Sequence, residues 1–221
     1  MFLSAGMKHV PALLLIALWW SACTQAPQAP QAQTTQAQSV PAAEMETALT
    51  LDPQKTEVIA TGTKVTGRHQ IRLPLKEGRV VPSPEGCVTG GRIVLDLTRL
   101  EVLDLQGDLK AKLEGHLKSP DFFDVEKHPE AIFEITGCEK GAKDTVYLSG
   151  NLTLRGVTKN IRFPATLFME GGTLLSKASF NINRQEWGIA YKGKPDDLIR
   201  DEVNIAFSVQ AGSAPTPPPN Q

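Results

Sequence analysis

The sequence predicts an antiparallel all-β domain of about eight strands with one helix. Three observations predict it. Apolar and polar residues alternate along most of the chain between residues 56 and 211. The alternating runs are joined by short turns containing Gly, Asn and Lys. Only one stretch, Asp108 to Ser119, has helical spacing. Half-apolar strands joined in this way form an antiparallel sheet, not βαβ units.

The elements follow in order. Thr56 to Val65 opens the series, and then Ile71, Leu73 and Leu75 alternate with Gln70, Arg72 and Pro74. Ile93, Leu95 and Leu97 share one face, opposite Asp96 and Thr98. In the helix Leu109, Leu113 and Leu117 recur every fourth residue as an apolar stripe, and Pro120 ends it. Ala131, Phe133 and Ile135 begin a new strand, followed by Val146, Leu148, Leu152 and Leu154. The next two strands carry Ile161, Phe163, Leu167 and Met169, then Leu174, Ala178, Phe180 and Ile182. Val203, Ile205, Phe207 and Val209 close the series. A sheet of this size forms a sandwich or closes on itself, and about eight strands make the smallest barrel that encloses a ligand.

The two ends of the 221-residue chain lie outside this domain, which is expected over residues 44–211. Residues 1–22 read as an export signal: a short basic start, an apolar run from Val10 to Trp20 too short for a membrane span, then small residues. Trp20-Ser21-Ala22-Cys23 resembles a bacterial lipobox, which makes Cys23 the expected site of lipidation. Residues 23–43, rich in Gln, Ala, Pro and Thr, lack charge from Cys23 to Ala43 and lack apolar periodicity, so they are expected to form a disordered tether. Residues 212–221 are expected to be a disordered tail. Thr24 after the cysteine favours the outer membrane, so the reading is an exported, membrane-anchored lipoprotein facing the periplasm. A net charge of −1 without a basic stripe argues against nucleic acid as a partner.

Cys87 and Cys138 remain after Cys23. An oxidising compartment permits a bridge between them, worth at most about 4 kcal/mol. Two unpaired buried thiols are the alternative, and spacing does not separate the two.

The densest chemistry lies in HLKSPDFFDVEKHPEAIFEI, residues 116 to 135. No catalytic or metal site emerges from it. His69, His116 and His128 share no HxH or HExxH spacing, and the cysteines form no CxxC. Asp121, Asp124 and Glu126 follow a helix end, where solvated acids are ordinary, and Asp121 is also placed to cap a turn. No Gly-x-Ser-x-Gly signals a nucleophile. Phe122 and Phe123 read as a plug at one end of the domain that would also touch any ligand beneath it. Arg184 either pairs with an acid across strands or meets a polar head group. Trp187 either packs against the helix or stacks on a ligand.

Several segments in sequence resemble the YceI-like domain of bacterial periplasmic proteins. They are residues 116–135, LSGNLTLRGVTKNIRFPATL (Leu148 to Leu167), FNINRQEWGI (Phe180 to Ile189) and GGRIVLDLTRLEVLD (Gly91 to Asp104). GTKVTGRHQI is most similar to the lipoprotein branch of that family. The resemblance implies an eight-stranded lipocalin-like antiparallel β-barrel whose apolar interior holds a polyisoprenoid or similar long-chain amphiphile. With that interior, the expected ligand contacts are Leu95, Leu97, Leu152, Leu154 and Ile182 from the alternating strands. The larger Phe133, Phe163 and Phe180 join them, together with Phe122, Phe123, Arg184 and Trp187. The expected partners are the lipid ligand and the membrane, with no cofactor besides the ligand and no catalysis. A barrel packed solid with side chains, serving as an interaction or stress-response module, is the rival reading, and an enzyme acting on bound lipid is a further one.

Overall fold

A computed structural model describes residues 26–42 and 45–213. Its strands are β1 (Gln33–Gln36), β2 (Leu49–Leu51), β3 (Glu57–Lys64), β4 (Gly67–Arg72), β5 (Leu75–Pro82), β6 (Val88–Asp96) and β7 (Glu101–Val102). The helix α1 (Gly107–Lys118) follows, then β8 (Glu130–Lys140), β9 (Thr145–Leu154), β10 (Val157–Glu170), β11 (Thr173–Asn183), β12 (Gly193–Lys194) and β13 (Asp197–Gly212).

The sheet closes on itself. β2 and β3 act as one interrupted stave, and so do β4 and β5. The ring runs β2/β3, β4/β5, β6, β8, β9, β10, β11 and β13, which pairs back onto both β2 and β3. This is an eight-stranded antiparallel barrel with one helix, and the sandwich is excluded. Both interruptions have local causes. Pro74 lacks an N–H and so breaks the stave at Leu73–Leu75, where only its carbonyl bonds onward, to Asp96 N. Asp52-Pro53 starts a turn in which the Asp52 carboxylate accepts the Gln54 N–H at 2.9 Å. Two hairpins use two-residue turns with both residues left-handed: Arg155-Gly156 (φ 48° and 73°) and Gly171-Gly172 (54° and 79°). That geometry matches the twist of the flanking strands.

The ring has two distinct ends. One carries the 171–172 turn, the 83–87 loop and the chain's exit after β13. The other, here the lid end, carries the 155–156 turn, the 184–196 segment and the long β6–β8 connection with α1. The apolar stripe of the helix is only partly used. Leu117 is buried and Leu113 half-buried against the core, but Leu109 is 64% exposed, because only the second half of α1 packs on the barrel. Met169 likewise departs from the inward alternation of its strand and is exposed beside Phe168 at the far hairpin tip.

Cys87 and Cys138 are joined by a disulfide, with Cα atoms 5.8 Å apart. It ties β6 to β8 beyond Arg92–Glu134, where their ladder ends and β8 bulges between Ile135 and Gly137.

The segment read as a free tether is different over its described part. β1 pairs antiparallel with β10 from Gln33–Arg162 to Gln36–Lys159, and Ala26 and Ala32 are buried. Side-chain composition concealed this, since main-chain groups pair regardless of side chain and alanine is small enough to bury in a wall. Gly212, expected to begin the tail, still pairs with Thr50. The export signal, Cys23 and the chain beyond residue 213 lie outside the described residues.

Candidate ligand-binding cavity

The inward positions of the staves enclose one apolar core, and it is hollow. A continuous cavity of about 240 Å³ runs through it, touching Leu51, Val88 and Leu174 toward the far end and Leu117, Phe122 and Phe123 at the lid. An engineered apolar cavity of about 150 Å³ holds benzene and stays dry when empty. By that measure the space admits about ten carbons, or roughly two isoprene units.

Small residues at inward positions create part of this space. Val58, Ala60 and Gly62 descend in size along the inward face of β3. A Cβ built on Gly62 would meet nothing within 4 Å. Large residues fill the rest. Phe163 stacks on Phe180 with ring centroids 3.9 Å apart and 12° between planes, and Phe133 and Phe207 flank them at 5.9 and 6.0 Å from Phe163. The ring of Phe133 lies where a side chain at position 150 would be: its Cζ is 2.2 Å from a Cβ built on Gly150.

The lid is aromatic. His116 meets Phe122 and Tyr191 edge-on at 5.0 and 4.7 Å, and Phe122 and Tyr191 are 5.5 Å apart. Phe122, from this cluster, and its neighbour Phe123 face the cavity. Ser119 rather than Asp121 organises the turn. Its hydroxyl donates to His116 O at 2.8 Å and accepts the Asp121 N–H at 3.3 Å.

Among the described residues two lining side chains are polar, Ser176 and Arg184, and both are engaged. Ser176 Oγ donates to Thr166 O at 2.8 Å. Arg184, 4% exposed, donates to Arg200 O at 3.1 Å, Ile189 O at 2.6 Å, Ile199 O at 3.5 Å and Asp201 Oδ1 at 2.9 Å. Of the two roles open to it, Arg184 takes the cross-strand acid and clamps the lid-end loop. Burial lowers its pKa and Asp201 opposes the shift.

Ten of the twelve expected contacts line the cavity. Leu97 and Trp187 do not. β6 ends at Asp96, whose carboxylate caps a 3-10 turn by accepting the Thr98 N–H at 2.9 Å, so the alternation stops one residue before Leu97. Trp187 is fully buried outside the lining, where Nε1 donates to Leu152 O at 2.9 Å. Val203, Ile205, Phe207 and Val209 also line the cavity but were absent from the expected contacts. Their alternation was the signal.

His69, His116 and His128 are dispersed. His69 Nδ1 lies 2.7 Å from Asp104, His116 Nε2 lies 3.2 Å from Asp121, and His128 packs on Gly156. Burial pushes the Asp104 carboxyl up, but the Gln70 N–H and His69 outweigh it and hold the group below its usual range. Among the described residues no three His, Cys, Asp or Glu side chains converge on a metal position.

The YceI-like domain model matches residues 49–211, which is nearly the whole ring. The chain belongs to the YceI-like family. Among curated relatives, a UPF0312 protein of Pseudomonas putida (strain W619) is 31% identical over 129 residues, covering 52% of this chain and 67% of that one. One from Azotobacter vinelandii is 37% identical over 87 residues, covering 34% and 45%. Among solved structures, Burkholderia cenocepacia BcnA superposes with a TM-score of 0.64 at 20% identity, over 73% of this chain and 99% of that one. A polyisoprenoid binding domain from Saccharophagus degradans, implicated in plant cell wall breakdown, superposes with a TM-score of 0.58 at 14% identity, over 76% and 99%. At these identities the superpositions support the fold of the YceI-like domain and no more.

Proposed function

We propose that this YceI-like protein binds and carries a polyisoprenoid or similar long-chain amphiphile in the cell envelope, without acting on it chemically. One observation carries the reading: a continuous apolar cavity beneath an aromatic lid, in which each polar lining side chain already has protein partners. Such a lining receives a hydrocarbon tail and offers a reacting group no free acid, base or nucleophile. The ligand class is proposed by analogy with the polyisoprenoid binding domain that shares this fold. A disulfide between Cys87 and Cys138 suits an exported protein. Lipidation at Cys23 would place it on the periplasmic side of a membrane, with the outer membrane favoured.

Burial of about ten carbons is worth roughly 8 kcal/mol relative to water, at about 0.8 kcal/mol per CH₂. Against a bilayer interior the same burial is nearly neutral, because lipid tails are as apolar as the wall. Loading and unloading at a membrane therefore need no energy source. A charged head group would be too costly to bury without a partner and would stay at an opening.

The test is native mass spectrometry of protein extracted gently from its envelope. A co-purifying prenyl lipid of stoichiometric abundance supports the carrier. Protein that is always empty, and that stays empty when offered prenyl alcohols, leaves only the rival reading of an interaction module.

A further inference from the structure

The outer wall of the barrel is built to receive residues 26–38. β10 and β11 part beyond Thr166–Lys177, and β1 lies in the gap between them. On one side Asn151 and Asn160, both buried, hold the end of the segment. Asn151 accepts the Gln38 N–H at 3.0 Å and donates to Gln38 O at 2.7 Å, while Asn160 donates to Asn151 at 3.1 Å and to Thr136 at 2.8 Å. On the other side the Asn181 N–H donates to Pro30 O at 2.9 Å, and its carbonyl accepts the Ala32 N–H at 2.8 Å. The buried Asn181 side chain donates to Pro27 O at 3.3 Å and Ala29 O at 3.4 Å, and accepts from Asn204 at 2.8 Å. Removing the segment would strip partners from Asn151 and Asn181 and expose two strand edges. Residues 26–38 are therefore a ninth piece of wall and not a leash.

Their docking sets how far an anchor can reach. Three residue steps separate Cys23 from Ala26, a span of at most about 11 Å. A free leash of about twenty residues would have a typical reach of about 25 Å. Residues 26–29 lie against Asn181, Arg200 and Glu202 at the lid end: Asn181 is two residues from the end of β11, Arg200 three from the start of β13, and Glu202 pairs with Asn183, the last residue of β11. The far hairpin tip is eight residues away along β11, or about 26 Å. Only the lid end is within reach. Its rim exposes Val65 (53%) and Leu198 (48%), joined by a hydrogen bond from Val65 N to Leu198 O.

We propose that docked residues 26–38 hold the lid end of the barrel against the bilayer, with Val65 and Leu198 in the membrane interface. The proposal rests on the lipid-anchor reading of Cys23. Its occupant is a phospholipid surface, since an acyl chain on Cys23 would bring one there, and exposed Val65 and Leu198 beside exposed Lys192 and Lys194 fit its interface.

The test uses the full lipidated chain on vesicles of phosphatidylethanolamine and phosphatidylglycerol with brominated acyl chains. Tryptophan is placed at either end, as Leu198→Trp or Phe168→Trp, both at exposed positions. Fluorescence quenching several-fold stronger at position 198 is expected. A Gly/Ser insertion of about twenty residues after Thr24 should erase the difference. Equal quenching at both ends, or stronger quenching at 168, in protein whose Cys23 is acylated by mass, overturns the orientation and leaves the anchor standing. An unmodified Cys23 removes the anchor and the orientation together. Amide exchange tests the docking itself: slow exchange across Ala32–Gln36 supports it, and exchange at the rate of an unfolded peptide overturns it.

Discussion

Gly62→Leu isolates the cavity from the stability of its wall. Gly62 lies on β3, paired on one side with Val203 and on the other with His69, and a Cβ there would enter open space. A leucine side chain brings four carbons, about 100 Å³ on the scale at which benzene occupies about 150 Å³. The cavity would shrink from about 240 Å³ to about 140 Å³, reducing its capacity from roughly ten carbons to roughly six. The wall should tolerate the change. Replacing a strand glycine removes a backbone penalty of about 0.5–1 kcal/mol, and the leucine gains burial worth about 1.5–3 kcal/mol. Tm is expected to hold or rise by a few degrees. Titration with geraniol, farnesol and geranylgeraniol, read by native mass spectrometry, should show retention weakened for all three. A variant that is more stable yet retains the series as the parent does would refute the cavity as the binding site. A fall in Tm of several degrees would refute the open space, because overpacking a filled core costs about 1–3 kcal/mol.

Gly150→Ala is the opposite case. Phe133 must leave its position, so a loss of about 1–3 kcal/mol by chemical denaturation is expected, with the Phe133 ring driven into the cavity. Phe180→Asp places an unpaired carboxylate beside Phe163 and Phe207; it should abolish prenyl alcohol retention and cost at least about 3–5 kcal/mol, which denaturant melts of the purified variant would measure. Reducing Cys87–Cys138, which closes a 51-residue interval, should cost about 4 kcal/mol, visible as a Tm drop of roughly 8–16 °C between oxidised and reduced protein. In acid the sign follows from three carboxylates held below their usual range: Asp104 as described above, Asp197 by Lys64 with Thr66, and Glu101 by Lys110 with Arg72. Their contribution is complete above the unfolded carboxylate pKa of about 4 and is lost as pH falls through the lower folded values. Denaturant midpoints should therefore stay flat down to about pH 4 and decline below it; a decline already under way between about pH 7 and 5 would contradict the assignment.

The barrel was legible because its strands are half-buried, and burial on one face writes period two into the sequence. The same rule located Phe133, Phe163 and Phe180. It failed at Leu97, where Asp96 diverts the chain into a turn, and at Trp187, which the loop after β11 carries outside the lining. Leu109 misled for a different reason: a four-residue stripe marks a helix face, but not how much of that face has anything to pack on. The void could not be read at all. Alternation says which side chains point inward, whereas emptiness depends on the sum of their volumes, and Gly62 and Ala60 acquire meaning only once the ring is closed. β1 was hidden most completely. Its recognition comes from Asn151, Asn160 and Asn181, more than a hundred residues away on the three successive strands β9, β10 and β11.

The cavity volume and the proposed orientation bear on each other. A space for about two isoprene units is too short for most polyisoprenoids, so a long chain held in solution would leave apolar carbons in water at about 0.8 kcal/mol each. With the lid end at a bilayer the remainder of the chain stays in lipid, and the cavity need only take the first units past Phe122 and Phe123. Capacity then stops limiting the ligand's length. The same prenyl alcohol series separates the two situations: protein in solution should discriminate against chains longer than the cavity, while membrane-bound protein should accept them nearly equally. Discrimination that persists unchanged on vesicles would mean that the barrel takes its ligand whole, by expanding, and that the lid end has no need of the membrane.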